Sequence, residues 1–476
     1  MDKKVMENTI DRQHEIEIET REGIARKSES LWTVYRRRFK KHTLGKIGLI
    51  ILIILYGSAL FADILSPYTM TWRDKYKSFH PPAKIEWLYN NAEGDRSFKP
   101  FVYEKVITNI AFKTYKIVPS YTIRAISQEI LTVNRELRSI SYDSDFEVRL
   151  ETTLENVRKH YRVEDDSDVM VHLEETLRQM EENPEKDISI EFSMGEFLVK
   201  DKMQELTLNL VKGNKNFLGF FNQGVPYSFL GLFTTNRHFF GASTGGVYFW
   251  GADQHGRDIF SRMLHGGRIS LTVGIVGAML IFVFGLTIGG VAGYFGGKVD
   301  VVLMRFGEVV MAFPSIYLLF ALRASFPSSL TSSQVYMLII IILSFIGWAG
   351  LARIIRGLVL SLKNEDFVLS ARTMGLSQWK IIRRHILPNT LSFVIVQVTL
   401  TVPGYILGES ALSLLGLGIM EPQSSWGLML AAAKNYGTVQ NAPWLLVPGF
   451  AIFIAIMAWN FFGDGIRDAV DPKSKH

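Results

Sequence analysis

Phe367-Val-Leu-Ser-Ala-Arg-Thr-Met-Gly-Leu-Ser-Gln-Trp-Lys-Ile-Ile-Arg-Arg-His-Ile-Leu-Pro-Asn389 is polar and basic, and it stands between apolar runs at about residues 335–351 and 391–417. A helix needs roughly 20 apolar residues to cross about 30 Å of hydrocarbon. Both runs meet or approach that length, so the segment between them reads as a loop on one face of a membrane. Its spacing predicts a short elbow, helix–Gly–helix with a terminal Pro. Gly375 can take the left-handed conformation there or admit a partner backbone.

Working outward, further apolar runs lie at about residues 47–65, 269–294, 301–324 and 444–462. Six runs in all predict an all-α polytopic membrane protein of about six transmembrane helices. Charge sets the orientation. The cluster Arg36-Arg-Arg-Phe-Lys-Lys41 precedes the first run, and the loop holds Arg353, Arg356, Lys363, Arg372, Lys380, Arg383 and Arg384. With the first cluster inside, six spans place the loop and the C-terminal Asp471-Pro-Lys-Ser-Lys-His476 inside as well, as the positive-inside rule expects. The charged residues ahead of the first run predict an uncleaved anchor rather than a signal peptide.

The chain is then expected to divide into a cytoplasmic tail at 1–45, a first membrane helix at 46–66 and an extracytoplasmic segment at 67–268. A five-helix core follows at 269–476, with its cytoplasmic loop at about 353–390. The external segment is too long to lack a fold of its own. Leu150, Leu154 and Val157, then Val171, Leu173 and Leu177, recur at helical spacing on a Glu-rich background, which predicts a separate mixed, largely helical domain. Pro81-Pro82, Asn183-Pro184 and the Gly-rich residues 241–246 read as joints.

Composition narrows the chemistry. The 476 residues are 48% hydrophobic and carry a net charge of +6, with basic residues beside the apolar runs, so no nucleic-acid partner is called for. Cysteine is absent, which excludes disulfides and thiolate chemistry. Gly241-Ala-Ser-Thr-Gly245 has the spacing of a hydrolase elbow, but no helix follows it. Gly296-Gly-Lys298 lacks the Ser/Thr and the earlier glycine of a phosphate loop. No catalytic or metal-binding constellation emerges, and the chain has no ATP site of its own.

The loop resembles the coupling loop of ABC-importer permeases, whose pattern is Glu-Ala-Ala, three residues, Gly, nine residues, Ile-x-Leu-Pro. Ala371, Gly375, Leu387 and Pro388 fall in register, while Leu369, Ser370 and His385 depart from it. Three further stretches are similar to the dipeptide/oligopeptide/nickel branch of that family, and to its second-permease or C-type subunit. They are Trp250-Gly-Ala-Asp-Gln-His-Gly-Arg-Asp-Ile-Phe-Ser-Arg262, Glu409-Ser-Ala-Leu-Ser-Leu-Leu-Gly-Leu-Gly418 and Asn460-Phe-Phe-Gly-Asp-Gly-Ile-Arg-Asp-Ala-Val-Asp-Pro472. The resemblance covers about residues 31–87 and 250–476, so about 88–249 reads as an insertion into an external loop.

The resemblance implies a permease subunit in the bacterial cytoplasmic membrane, with both termini cytoplasmic, paired with a second homologous permease. Two cytoplasmic ATPases, which hold the ATP and Mg, and an external solute-binding protein would complete the importer. Ser370, Ala371, Arg372, Met374, Gly375, Leu376, Trp379, Arg383 and Pro388 would then couple to an ATPase. The same pattern also fits an ordinary amphipathic interhelical loop. Asp253, Gly256, Arg257, Asp258 and Arg262 would shape the external mouth. Dipeptides, oligopeptides, nickel chelates, sugars and peptide-like antibiotics all remain open as solutes. An ATPase-independent transporter or channel is the alternative. It would call for inverted repeats or midplane ion relays, and none is read here.

Three ionisable residues fall inside predicted spans, where charge is costly. Arg305 and Glu308 are three apart and are expected to pair on one helix face, with a gate contact as the alternative. Glu409 has no sequence-local cation and should face a cavity or another helix. Gly285, Gly289, Gly293 and Gly297 recur every four residues, a small face suited to close helix packing in lipid.

Overall fold

The computed structural model describes residues 31–90, 96–109, 113–117, 120–125, 189–199, 202–211, 215–229, 233–242, 246–327 and 329–470. Two compact units emerge from it. One comprises residues 1–55, 271–409 and 451–476, the other residues 56–270 and 410–450.

The described residues open with the basic helix α1 (Leu31–Lys41) and the apolar α2 (Thr43–Leu60). His42 stands between them, its Nδ1 accepting the Gly45 backbone N–H at 2.8 Å. A single helical turn, Ala62–Leu65, follows. Five described helices are long and apolar enough to cross a membrane: Thr43–Leu60, Ile259–Phe295, Ser332–Leu362, Gln378–Leu414 and Pro443–Val470. The pair Gly297–Ala312 and Ser315–Ala324 makes a sixth if its two halves, set at 88° to each other, count as one span.

That bend corrects the expectation of an unbroken span over 301–324, and its cause is local. Proline forces the residue before it out of the helical region. Phe313, just ahead of Pro314, is extended at φ −88° and ψ 136°. These helices are α3 (Ile259–Phe295), α4 (Gly297–Ala312), α5 (Ser315–Ala324) and α6 (Ser332–Leu362). Helix α3 begins about ten residues ahead of the apolar run that predicted it.

The glycine face behaves as its spacing predicts, with one correction. A Cβ on Gly289 would fall 2.5 Å from the Ala352 carbonyl, and one on Gly293 would fall 2.8 Å from that of Arg356. A Cβ on Gly285 would fall 2.7 Å from the Leu351 side chain. Helix α6 therefore lies against α3 at a distance only glycine permits. Gly297 is not part of this face. It sits at φ +55° after Gly296 at φ +64°, and the pair turns the chain into α4.

The expectation of a largely helical external domain is overturned for the described residues. They form antiparallel strands: β1 (Glu86–Asn90), β2 (Arg96–Tyr103), β3 (Lys105–Asn109), β4 (Thr114–Ile117), β5 (Ser120–Ala125), β6 (Ser189–Val199), β7 (Lys202–Val211), β8 (Lys215–Phe229) and β9 (Phe233–Ala242). The sheet orders are β1-β2-β8-β9, β3-β4 and β5-β7-β6. Residues 126–188, which carry the helical spacing at 150–177, lie outside the described residues. Val102, Leu218 and Val247 centre the core of the first sheet, packed by Ala83, Phe240, Ala242 and Phe249. Aromatic residues in β2, β8 and β9, among them Phe101, Phe217 and Phe240, suit a half-buried pleat.

The chain then passes through α7 (Asp366–Thr373), α8 (Gln378–Ile381), a π turn at Ile382–Ile386 and α9 (Leu387–Leu414). Two short helices, α10 (Trp426–Leu430) and α11 (Tyr436–Asn441), precede the closing α12 (Val447–Val470).

Candidate functional site

The elbow forms as the spacing predicts. Helix α7 ends in a Schellman motif: the Leu376 N–H donates to the Ala371 carbonyl at 3.2 Å and the Gly375 N–H to that of Arg372 at 3.0 Å. The residue between helix and turn must be left-handed in this motif, and Gly375 has φ +76°. No atom lies within 4 Å of where its Cβ would stand.

The elbow has an inner and an outer face. Val368, Ala371, Ile381, Ile382 and Ile386 are buried. Outside, Met374 is 72% exposed and Trp379 63% exposed. Phe295 makes an edge-on contact with the indole, at 5.9 Å between centroids. Ser370, Arg372, Arg383 and Pro388 are exposed beside them, and Leu376 is half-buried. Two large apolar side chains ringed by arginines on a polar elbow make a surface that a soluble partner can cover.

The second constellation is packed rather than open. Asp253 accepts from the Arg257 Nε at 2.7 Å and from the backbone N–H groups of His255 at 2.8 Å and Arg257 at 3.1 Å. Arg257 also reaches Glu421 at 2.7 Å, and Arg262 pairs with the other Glu421 oxygen at 3.1 Å. Burial pulls the Glu421 carboxyl up, but Arg262 and Arg257 outweigh it and hold the group below its usual range. Together these residues line a cleft of about 450 Å³, with Lys434, Asn435 and Met429 on its other wall.

Gly256 closes the turn at φ +73°, and a Cβ there would fall 1.8 Å from the Asp74 carbonyl oxygen. Asp258 caps α3. Its Oδ2 accepts from the Ser261 N–H and hydroxyl, both at 2.7 Å. Burial raises its carboxyl to about 7, against the lowering effect of those Ser261 hydrogen bonds.

The residues predicted inside spans fare differently. Arg305 and Glu308 pair at 2.8 Å with their side chains 78% and 44% exposed. Glu409 is fully buried. Two features were missed. Glu421 ties together two arginines of the mouth motif, although it lies some 160 residues away in sequence. Asp300 in the first turn of α4 holds Arg356 of α6 through two hydrogen bonds, one of 2.6 Å. An acidic residue in a first helical turn was the available signal for Asp300. None pointed to Glu421.

The family described as binding-protein-dependent transport system inner membrane component matches residues 285–476. The N-terminal TM domain of oligopeptide transport permease C matches residues 30–82. The oligopeptide transport system permease protein OppC of Haemophilus influenzae is 45% identical over 231 residues, 48% of this chain and 72% of that protein. The dipeptide transport system permease protein DppC of Bacillus subtilis is 43% identical, over 48% of this chain and 69% of that protein. The OppC protein of Escherichia coli K12 is 42% identical over 73% of its length. A solved structure of the MetNI methionine ABC transporter covers 44% of this chain at 20% identity and a TM-score of 0.35, which places no residue here.

Proposed function

This chain belongs to the binding-protein-dependent transport system inner membrane components, as a C-type permease subunit of an ABC importer in the inner membrane, and from that premise we propose that it moves peptides or related small solutes by alternating access, driven by separate ATPase subunits. The observation that carries the coupling half of this reading is the elbow: Met374 and Trp379 exposed on either side of the left-handed Gly375. The peptide half rests on its similarity to oligopeptide and dipeptide transport permeases.

The partners are a second homologous permease, two cytoplasmic ATPases that hold the ATP and Mg, and an extracytoplasmic solute-binding protein. Both termini and the elbow face the cytoplasm, and the strand-rich segment faces outward. Met374 and Trp379 seat in an apolar groove on an ATPase, and Arg372 and Arg383 meet acidic or carbonyl groups at its rim. Closure of the ATPase dimer carries the elbow with it. The flanking helices α6 and α9 then rock between two rigid arrangements, and the cavity opens to the opposite face. Such a switch moves only as far as ATP binding favours one arrangement over the other.

Tagging the chain, solubilising its membranes gently and identifying what co-purifies tests the assembly. A second permease and two ATPases should be recovered, with ATP hydrolysis stimulated by peptides when the binding protein is added. A chain that comes out alone or as a homo-oligomer, after crosslinking in the intact membrane, would sink the proposal.

A further inference from the structure

Three phenylalanines make an apolar step where α2 ends. Phe61 directly follows Leu60, the last residue of α2, and the two are 46% and 50% exposed. Phe229, at the end of β8, stacks parallel to Phe61 with centroids 6.3 Å apart. Its cross-strand partner Phe233 lies 5.5 Å from it and is 56% exposed. The residues joining the two strands are Leu230-Gly-Leu232, so 229–233 hold no polar side chain. Hairpin connections facing water are ordinarily built from polar and turn-forming residues.

Charges fix the level of this step. Arg268 donates to the carbonyls of Ala59 at 2.7 Å and Leu60 at 2.9 Å, and it pairs with Asp63 at 2.9 Å. Charged groups are costly in hydrocarbon and settle at its boundary. The last turn of α2 therefore stands at the headgroup layer.

The direction of the hairpin follows from a second contact. The His238 Nδ1 on β9 lies 2.5 Å from the Ser66 carbonyl. From His238 to Phe233 the strand runs five residues, about 16 Å at the rise of a β-strand. From Ser66 back to Phe61 the chain also runs five residues, mostly as a helical turn of about 8 Å. Both paths start at one contact, and the Phe61–Phe229 stack brings the paired ends of β8 and β9 beside the end of α2.

We propose that Phe61 and the paired strand ends Phe229 and Phe233 are seated in the headgroup boundary of the leaflet where α2 ends. Lipid is the occupant because the step continues the apolar surface of a membrane helix at the level its charges define. Aromatic rings suit this layer, which is apolar on one side and wet on the other.

The native chain has no cysteine, so Phe229→Cys, Phe233→Cys, Thr234→Cys and Asn236→Cys each offer one site for a spin label. The full chain is labelled in phosphatidylethanolamine–phosphatidylglycerol vesicles, and collisions with dissolved oxygen and with a water-soluble nickel reagent are compared. Labels at 229 and 233 should favour oxygen several-fold over the label at 236. Thr234→Cys repeats the measurement if loss of either phenylalanine impairs folding. A label at 233 or 234 as open to nickel as that at 236 overturns the proposal. So does one shielded from both reagents, which would mean that protein covers the tip.

Discussion

Two glycines of nearly identical backbone conformation, Gly256 at φ +73° and Gly375 at φ +76°, sit in opposite surroundings. The first is wedged against the Asp74 carbonyl, and the second has no neighbour within 4 Å. The contrast extends to their constellations. Around Gly256, Asp253, Arg257, Glu421 and Arg262 answer one another's charges. Around Gly375, Met374 and Trp379 are mostly exposed. One region is held together by charges of this chain, and the other leaves two large apolar side chains exposed.

Alanine at each glycine should produce the largest difference. Gly256→Ala places a carbon 1.8 Å from a backbone oxygen, so the turn cannot close and the full chain should fail to accumulate in the membrane. Gly375→Ala meets no atom, and its cost is the left-handed conformation alone, about 1–2 kcal/mol. Yield and thermal unfolding in detergent separate the two. Equal stability would end the contrast.

Next in size is the elbow surface. Replacing Met374 with Glu and Trp379 with Ala removes two exposed apolar groups that contribute little to the fold. Anchors of this kind carry about 2–4 kcal/mol of an interface, or roughly 30- to 1000-fold in affinity. The expected outcome is a chain of unchanged unfolding temperature that no longer co-purifies with ATPase subunits. A variant that keeps its partners would reduce the elbow to an ordinary interhelical loop.

Legibility in the sequence follows the range of the interactions. The Schellman turn at Gly375 is set by residues within five positions of each other, so spacing alone revealed it. The packing of Gly289 and Gly293 on α6 was readable too, because period-four glycines leave few other uses. Pro314 carried a local signal for the bend after α4, but the run at 301–324 is mostly apolar on both sides of it, which hid the break. The sheet was harder. In β8 the alternation is interrupted by Gly219, Gly224 and Pro226, each unfavourable inside a strand, while the clearest periodicity lies at 150–177, beyond the described residues. Glu421 illustrates the limit. It meets Arg257 and Arg262 only after the chain has travelled through α3 to α9, and no local pattern encodes such a meeting.

The cluster around Gly256 also predicts a pH dependence. Asp258 has its Oδ1 buried without a partner and its carboxyl raised to about 7 from a usual value near 4. The folded state therefore holds a proton that the unfolded chain releases between pH about 4 and 7, and stability falls as pH rises through that window. Asp258→Asn keeps a neutral acceptor for the Ser261 N–H without the titration. It should unfold later than the parent at pH 8, by about 1–2 kcal/mol, with the gap closing toward pH 4. A constant gap across that range would mean that the carboxyl is ionised throughout.

The smallest effect belongs to Arg305 and Glu308. Their ion pair is short, 2.8 Å, but both side chains are open, at 78% and 44% exposure. Exposed pairs contribute about 0–1 kcal/mol once solvent screening and side-chain ordering are counted. Removing either partner should shift stability by less than about 0.5 kcal/mol, against the loss of fold expected at Gly256. Transport then decides between two roles. If uptake through the reconstituted complex is unchanged in Arg305→Ala and Glu308→Ala, the pair only balances charge on its own helix. If uptake falls while stability holds, these groups meet something this chain does not supply, the role proposed above for Met374 and Trp379, and α4 joins the elbow as a proposed partner surface.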